Sequence, residues 1–291
     1  MYRIHQIKLK LGESTDCLPQ KILKLIGNRE LLISEWHIVK ESIDARDKKH
    51  IRLVYSVDFT AVYKKNPKKQ ARLAANPKLK LEEAPNLAYV PAVYEGEACA
   101  SKDENRAKET LPSARVLRDR PIIVGFGPAG MFAALILAQA GLRPLVLERG
   151  QEVDARTASV ERFWREGTLN EQSNVQFGEG GAGTFSDGKL TTGIKDARIR
   201  KVLEEFVAAG APKEILYKQK PHIGTDVLRL VVKNIREEIK RLGGEVRFNT
   251  LVEDLRVEDG RVSGVICAQD GAETDHESGA QPPANGRGGL A

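Results

Sequence analysis

No stretch of these 291 residues stays apolar for long. None approaches the roughly 20 residues that a helix needs to cross a bilayer. Met1–Leu11 alternates polar and apolar residues where a signal peptide would carry an apolar core, so a cytoplasmic protein without a membrane segment is expected. Cysteine is scarce as well. Cys17, Cys99 and Cys267 are far apart, odd in number and outside any CxxC pair, which argues against a disulfide framework, a zinc site or a redox-active disulfide. Aromatic residues make up only 5% of the chain. The net charge of +6 is concentrated at Lys64, Lys65, Lys68, Lys69, Arg72, Lys78 and Lys80, with no aromatic platform to accompany it. Such a stretch reads as a solvated linker before it reads as a nucleic-acid site. The 41% of hydrophobic residues is ample for one large or two ordinary domains.

Hydrophobic periodicity divides the chain. Tyr2–Leu11 alternates as a strand does, Pro19–Ile26 is helical and stops at Gly27, and Trp36–Ile43 with Ile51–Phe59 forms a strand pair turning at Asp47-Lys48-Lys49. Residues 1–65 are therefore expected to be a small α+β module. Residues 66–118 shift to Lys, Ala, Pro, Asn and Glu without a sustained period, a basic and polar connector. From 119 to 268 the pattern is α/β. Pro121–Val124 is a compact apolar strand, and Asp196 caps a helix that carries Ile199, Val202, Leu203, Phe206 and Val207 on one face. Asp226–Leu242 is a second amphipathic helix, ended by Gly243-Gly244. Strands follow at Val246–Phe248 and Val252–Val257, and Asp259-Gly260 turns the chain into Arg261–Ile266. Residues 269–291 lose all period and are expected to be disordered.

Gly125-Phe126-Gly127-Pro128-Ala129-Gly130 fits GxGxxG, a weak signal alone. Its setting strengthens it. An apolar strand precedes it, a helix at Met131–Ala140 closed by Gly141 follows, and Leu145-Val146-Leu147 ends in Glu148. Gly125 permits the tight turn, Gly127 lets a pyrophosphate approach the main chain, and Gly130 lets the helix pack closely, while the helix N-terminus attracts phosphate. Glu148 is placed to accept from ribose hydroxyls and to repel a 2′-phosphate. His222, in the loop before the Asp226 helix, has no carboxylate partner recognisable in the sequence and is assigned no catalytic role.

These segments also carry a resemblance. The GPAG of the fingerprint, with Glu148-Arg149-Gly150, resembles the flavoprotein version of the motif. Asn174–Leu190, which includes Gly178-Glu179-Gly180-Gly181-Ala182-Gly183-Thr184-Phe185-Ser186-Asp187-Gly188, resembles a loop of bacterial FAD-dependent dehydrogenases of mostly unassigned substrate. The resemblance runs from residue 1 to about residue 268, and in the FAD domain it is similar to the glutathione-reductase-like flavoproteins. It implies a Rossmann-like FAD-binding domain behind the small N-terminal module. It also implies cofactor contacts at Gly125, Gly127, Pro128, Ala129, Gly130, Glu148 and Arg149, at Gly180, Gly181, Gly183, Thr184 and Ser186 in the loop, and through the backbone of Val252.

Five glycines lie within Gly178–Gly188, and a planar ring packed against main chain would leave no room for Cβ atoms there; the embedded Phe177 and Phe185 distinguish this loop from a flexible linker. Members of that family continue past this point with the rest of a substrate domain and a Gly-Asp segment at the flavin's ribityl chain. The expectation here is a truncated or frameshifted product. The leading reading is an FAD-dependent oxidoreductase whose electron donor is a small substrate or a reduced nicotinamide. One alternative is a noncatalytic dinucleotide-binding module. The other is a flavoprotein with an RNA-binding N-terminal module, whose affinity would fall steeply with salt.

Overall fold

The computed structural model describes residues 1–27, 31–63, 81–85, 120–186, 188–194, 196, 198–269 and 272–277. The Lys64–Lys80 stretch, Cys99 and most of the 66–118 connector lie outside these. The chain is mixed α/β with a parallel sheet, and it divides into two compact units.

The first unit comprises Met1–Tyr89, Lys189–Val207 and Pro212–Ile223. It is built on β1 (Tyr2–Lys10), α1 (Leu18–Ile26), β2 (Leu31–Asp44), β3 (Arg52–Tyr63) and β4 (Glu82–Glu83), in an antiparallel sheet of order β2-β3-β1-β4. Ile4, Ile7 and Leu9 all face the core, although the step from 4 to 7 breaks a two-residue period. A bulge reconciles them: Gln6 has φ 62° and the register slips between Ile4 and Ile7. Leu18 and Ile22, one turn apart on α1, close the core over Val57 and Phe59, and Gly27 ends the helix at φ 67° with its N–H on Leu23 O. The expected turn forms, with His50 N–H on Asp47 O at 3.1 Å, while both flanking strands run further than their periodicity indicates.

β4 lies inside the stretch expected to be a connector and pairs with β1. Two glutamates carry no apolar signal, so only the partner strand reveals them. Asp196 caps α4 (Arg198–Ala208) as expected, accepting from Arg198 N–H at 2.8 Å.

The second unit carries β5 (Ile122–Val124), α2 (Pro128–Gln139), β6 (Leu145–Leu147), α3 (Val153–Glu166), α5 (Thr225–Arg241) and β7 (Glu245–Arg247). The three strands are parallel in the order β5-β6-β7. β6 is central and wholly buried, which is why its sequence is continuously apolar. α5 packs on α2 through a stripe that includes Leu228, Val231, Val232, Ile235 and Ile239. Gly244 follows it, where a Cβ would fall 2.7 Å from Ile239 Cγ2.

An antiparallel sheet of β8 (Thr250–Glu258), β9 (Arg261–Gln269) and β10 (Ala272–Glu277) completes the unit. Asp259 and Gly260, at φ 51° and 72°, make the expected tight turn. β10 corrects the expectation of disorder from 269 onward. It is placed by its ladder to β9, from Ala272–Gln269 to Glu277–Gly264, and not by an apolar period. Among the described residues, no helix is long and apolar enough to cross a membrane.

Candidate functional site

The fingerprint turn follows directly from its glycines. Gly125 leaves β5 at φ 89° with its N–H on Leu147 O at 2.8 Å. At Gly130 a Cβ would stand 2.0 Å from Gly125 O, so main chain alone demands glycine there. Gly127 differs. It caps α2 in an extended conformation (φ −73°), and a Cβ on it would approach only Gly181 Cα, at 3.9 Å. Pro128 occupies the first helical position, where its missing N–H costs nothing. Ala129 and Gly130, in the first turn, have no acceptor four residues back inside the helix, and the helix dipole adds partial positive charge at that end.

Glu148 is buried, and its carboxylate accepts three main-chain N–H groups: Phe126 at 2.6 Å, Gly150 at 2.8 Å and Gly178 at 3.0 Å. The residue expected to hold ribose hydroxyls thus ties together the fingerprint turn, the end of β6 and the glycine-rich loop. A carboxylate has about four acceptor positions, so roughly one remains for a ligand.

The glycine-rich loop is packed closely against its protein surroundings. A Cβ at Gly150 would meet Gly178 Cα at 2.6 Å, one at Gly178 would meet Arg156 Cδ at 2.5 Å, and one at Gly180 would meet Thr184 Oγ1 at 2.1 Å. Gly180 N–H donates to Phe126 O at 2.8 Å. Gly181, at φ 61°, puts its missing side chain 3.1 Å from Pro128 Cδ. Gly183 has open space around it. The polar side chains turn inward on the loop: buried Thr184 donates to Glu179 O at 3.3 Å, and exposed Ser186 donates to Gly183 O at 2.8 Å. Close packing of main chain on main chain and on Arg156 accounts for glycine at Gly150 and Gly178.

A cleft of about 300 Å³ opens between these segments. It brings together Gly125, Gly127, Glu148, Arg149, Gly181 and Val252 of the expected set, with Val124, Leu147, Gln176, Phe177, Gly178, Thr250 and Leu251 as further lining. Pro128, Ala129, Gly130, Gly180, Gly183, Thr184 and Ser186 are not among the lining residues. The Arg149 guanidinium stacks 4.0 Å over Phe177 and donates to Gln172 Oε1 at 2.9 Å, while its Nε is buried with no hydrogen-bond partner among the described residues. Val252 pairs with Cys267 in the β8–β9 ladder and packs on Leu145, Leu147 and Val265. The strand begins at Thr250, two residues earlier than its apolar pattern indicates, which is how Thr250 and Leu251 join the cleft unannounced. His222 is exposed and bridges to Lys189 within the first unit.

Buried charges hold the cleft wall. Arg156 is fully buried and donates to the carbonyls of Asn174, Val175 and Glu179 at 2.9, 2.9 and 2.6 Å. Burial pushes this guanidinium down to about 10, against the attraction of Glu148 and Glu179. Glu179 accepts from Val153 N–H at 2.7 Å, capping α3 from a distance, and from Arg236 at 2.9 Å. Burial pushes its carboxyl up, with Arg236 pulling the other way. Charged residues usually read as surface, so no sequence signal marks these three.

Several known proteins are similar to parts of this chain. A domain of unknown function, DUF8436, matches residues 1–60. An uncharacterised protein of Clostridium beijerinckii is 47% identical over 264 residues, 91% of this chain; the chain spans 45% of that protein's length. The structure of glycerol-3-phosphate dehydrogenase from Bacillus halodurans complexed with FAD is 14% identical, with TM-score 0.33, over 57% of this chain and 33% of that one. Glycine oxidase from Bacillus cereus is 14% identical with TM-score 0.34, over 52% of this chain and 51% of that one. A 3-ketosteroid dehydrogenase from Rhodococcus jostii is 18% identical with TM-score 0.32, over 55% of this chain and 44% of that one.

Proposed function

We propose that the cleft holds FAD and that the chain is the cofactor-binding part of an oxidoreductase acting on a small molecule. One observation carries the reading. Gly127 has an ordinary φ and free space on its Cβ side, so the fold does not require glycine there, yet it stands at a helix N-terminus in the lining of a cleft. A phosphate approaching that helix end would require it.

The remaining residues fit the same group. The α2 N-terminus would take the pyrophosphate, the last acceptor position of Glu148 a ribose hydroxyl, and the buried, unmatched Arg149 Nε an acceptor of the ligand. The Glu148 carboxylate would repel a 2′-phosphate, which favours FAD or NAD chemistry over NADP. A cleft of about 300 Å³ is at the lower end of the range for small-molecule sites, enough to enclose part of a dinucleotide. Bound FAD would supply the hydride acceptor, with a substrate or a reduced nicotinamide as donor. The chain's own contribution is to bind, orient and screen.

A second reading, a noncatalytic dinucleotide-binding module, is favoured by the lining itself. Glu148 is its one carboxylate, and three N–H groups already hold it, so no free acid or base faces the cleft among the described residues. The test is an absorbance spectrum of the purified chain between about 350 and 500 nm, where oxidised flavin absorbs, with Gly127→Glu as control. A flavin band present in wild type and lost in the control supports the proposal. A colourless wild type that also takes up no added FAD refutes it, and a flavin that no donor reduces points to the noncatalytic module.

A further inference from the structure

The second unit also gathers two guanidinium groups on one aromatic ring. The Phe185 ring centre lies 4.8 Å from the guanidinium carbon of Arg156 and 5.0 Å from that of Arg229. Arg156 comes from α3, Phe185 from the glycine-rich loop and Arg229 from the second turn of α5. Trp164 stands edge-on to the same ring, 6.3 Å between centroids at 85°, and is 61% exposed.

Cation–π attraction accounts for either contact singly. It does not account for bringing two like charges to one ring. Arg156 spends its donors on three uncharged carbonyls, and Arg229 Nε is buried with no hydrogen-bond partner among the described residues. The ring is therefore flanked by two guanidinium groups, beside an exposed indole. Glu148 and Glu179 attract the guanidinium of Arg156, whereas the Arg229 Nε–H has no acceptor among the described residues. A planar guanidinium offers a carboxylate or phosphate two parallel hydrogen bonds, and an aromatic surface beside it suits a flat ligand body.

We propose that Arg229, backed by Phe185 and Trp164, binds the oxyanion group of a small second ligand, distinct from the dinucleotide. Arg156 connects this position to the cleft. A Cβ on Gly178, a cleft residue, would lie 2.5 Å from Arg156 Cδ, while the other end of the same side chain reaches Phe185. A ligand anchored at Arg229 is thus one arginine side chain away from the nucleotide cleft. The proposal does not depend on the flavin reading.

The chain has two tryptophans, so Trp36→Phe leaves Trp164 as the sole tryptophan in the full-length protein, excited on the red edge of its absorption where the six tyrosines do not absorb. Its emission is followed during titration with sodium benzoate, a flat carboxylate, and separately with inorganic phosphate, flavin absorbance being recorded on the same samples. A saturable change with either probe is expected, and the probe that produces it tells carboxylate from phosphate recognition. Arg229→Met should weaken that probe at least tenfold. If Arg229→Met does not fold, Arg229→Lys keeps the charge without the planar fork and should weaken benzoate or phosphate severalfold. A folded wild type that responds to neither probe, or a folded Arg229 variant with unchanged affinity, overturns the proposal. Anion binding by a chain that shows no flavin band and takes up no added FAD would remove the FAD reading and leave this one standing.

Discussion

Two glycine-rich segments meet at the cleft, and their glycines are there for different reasons. In the fingerprint, Gly125 and Gly130 serve the turn and the helix, but the space beside Gly127 faces the cleft. In the loop, Gly178 and Gly180 are fixed by Arg156 and Thr184, and Gly183 by nothing. Glycine density therefore does not by itself mark a ligand. The informative position is the glycine that the protein could do without.

Positions where main chain meets main chain should respond most strongly to substitution. Gly130→Ala and Gly150→Ala would set a Cβ 2.0 Å from Gly125 O and 2.6 Å from Gly178 Cα. Each should cost at least about 3 kcal/mol, read as loss of the folded fraction in urea titration. Arg156→Met comes next, because it leaves three buried carbonyls without their donor. About 3 kcal/mol is expected, with protease cleavage appearing first within 174–180.

Gly127→Ala should separate folding from binding. Its unfolding free energy should stay within about 0.5 kcal/mol of wild type, while flavin retention on gel filtration falls at least tenfold. A variant that keeps its flavin would remove the distinction drawn between the two segments. Gly183→Ala, with open space around it, should change neither stability nor flavin content.

The smallest effect is a pH response in the first unit. Glu13 is pushed down to about 2 by Lys21, at 2.7 Å, and by the Lys10 N–H. A lowered carboxyl contributes stability that is present above the ordinary carboxylate range and lost as pH falls toward 2. Lys21→Ala should move the Glu13 titration upward, as followed by NMR.

Much of this fold could be read in advance where side chains repeat with the period of the element. The stripe of α5 and the unbroken apolar run of β6 each state their surroundings, and the alternation of β1 does so only on either side of its bulge at Gln6. What could not be read was placed by partners distant in sequence. β4 is two glutamates set by β1, and β10 is set by its ladder to β9. Of the cofactor contacts expected from the motif and the resemblance, Gly125, Gly127, Glu148, Arg149, Gly181 and Val252 line the cleft. The motif does not foresee that the Thr184 and Ser186 hydroxyls bond within their own loop. It was silent on Arg156, Glu179 and Arg236, because burial of a charge depends on where its counterpart folds.

The edge of the first unit's sheet carries a further consequence. β2 is fourteen residues long and terminal in the sheet order, the geometry that invites a second chain to add itself as another strand. Register shifts at Ile33/Glu35 and Ile38/Lys40 interrupt its row of donors and acceptors, and Tyr217 O occupies the Glu41 N–H at 2.9 Å. These interruptions act against aggregation. They leave no uninterrupted template along which identical molecules could zip together when concentrated.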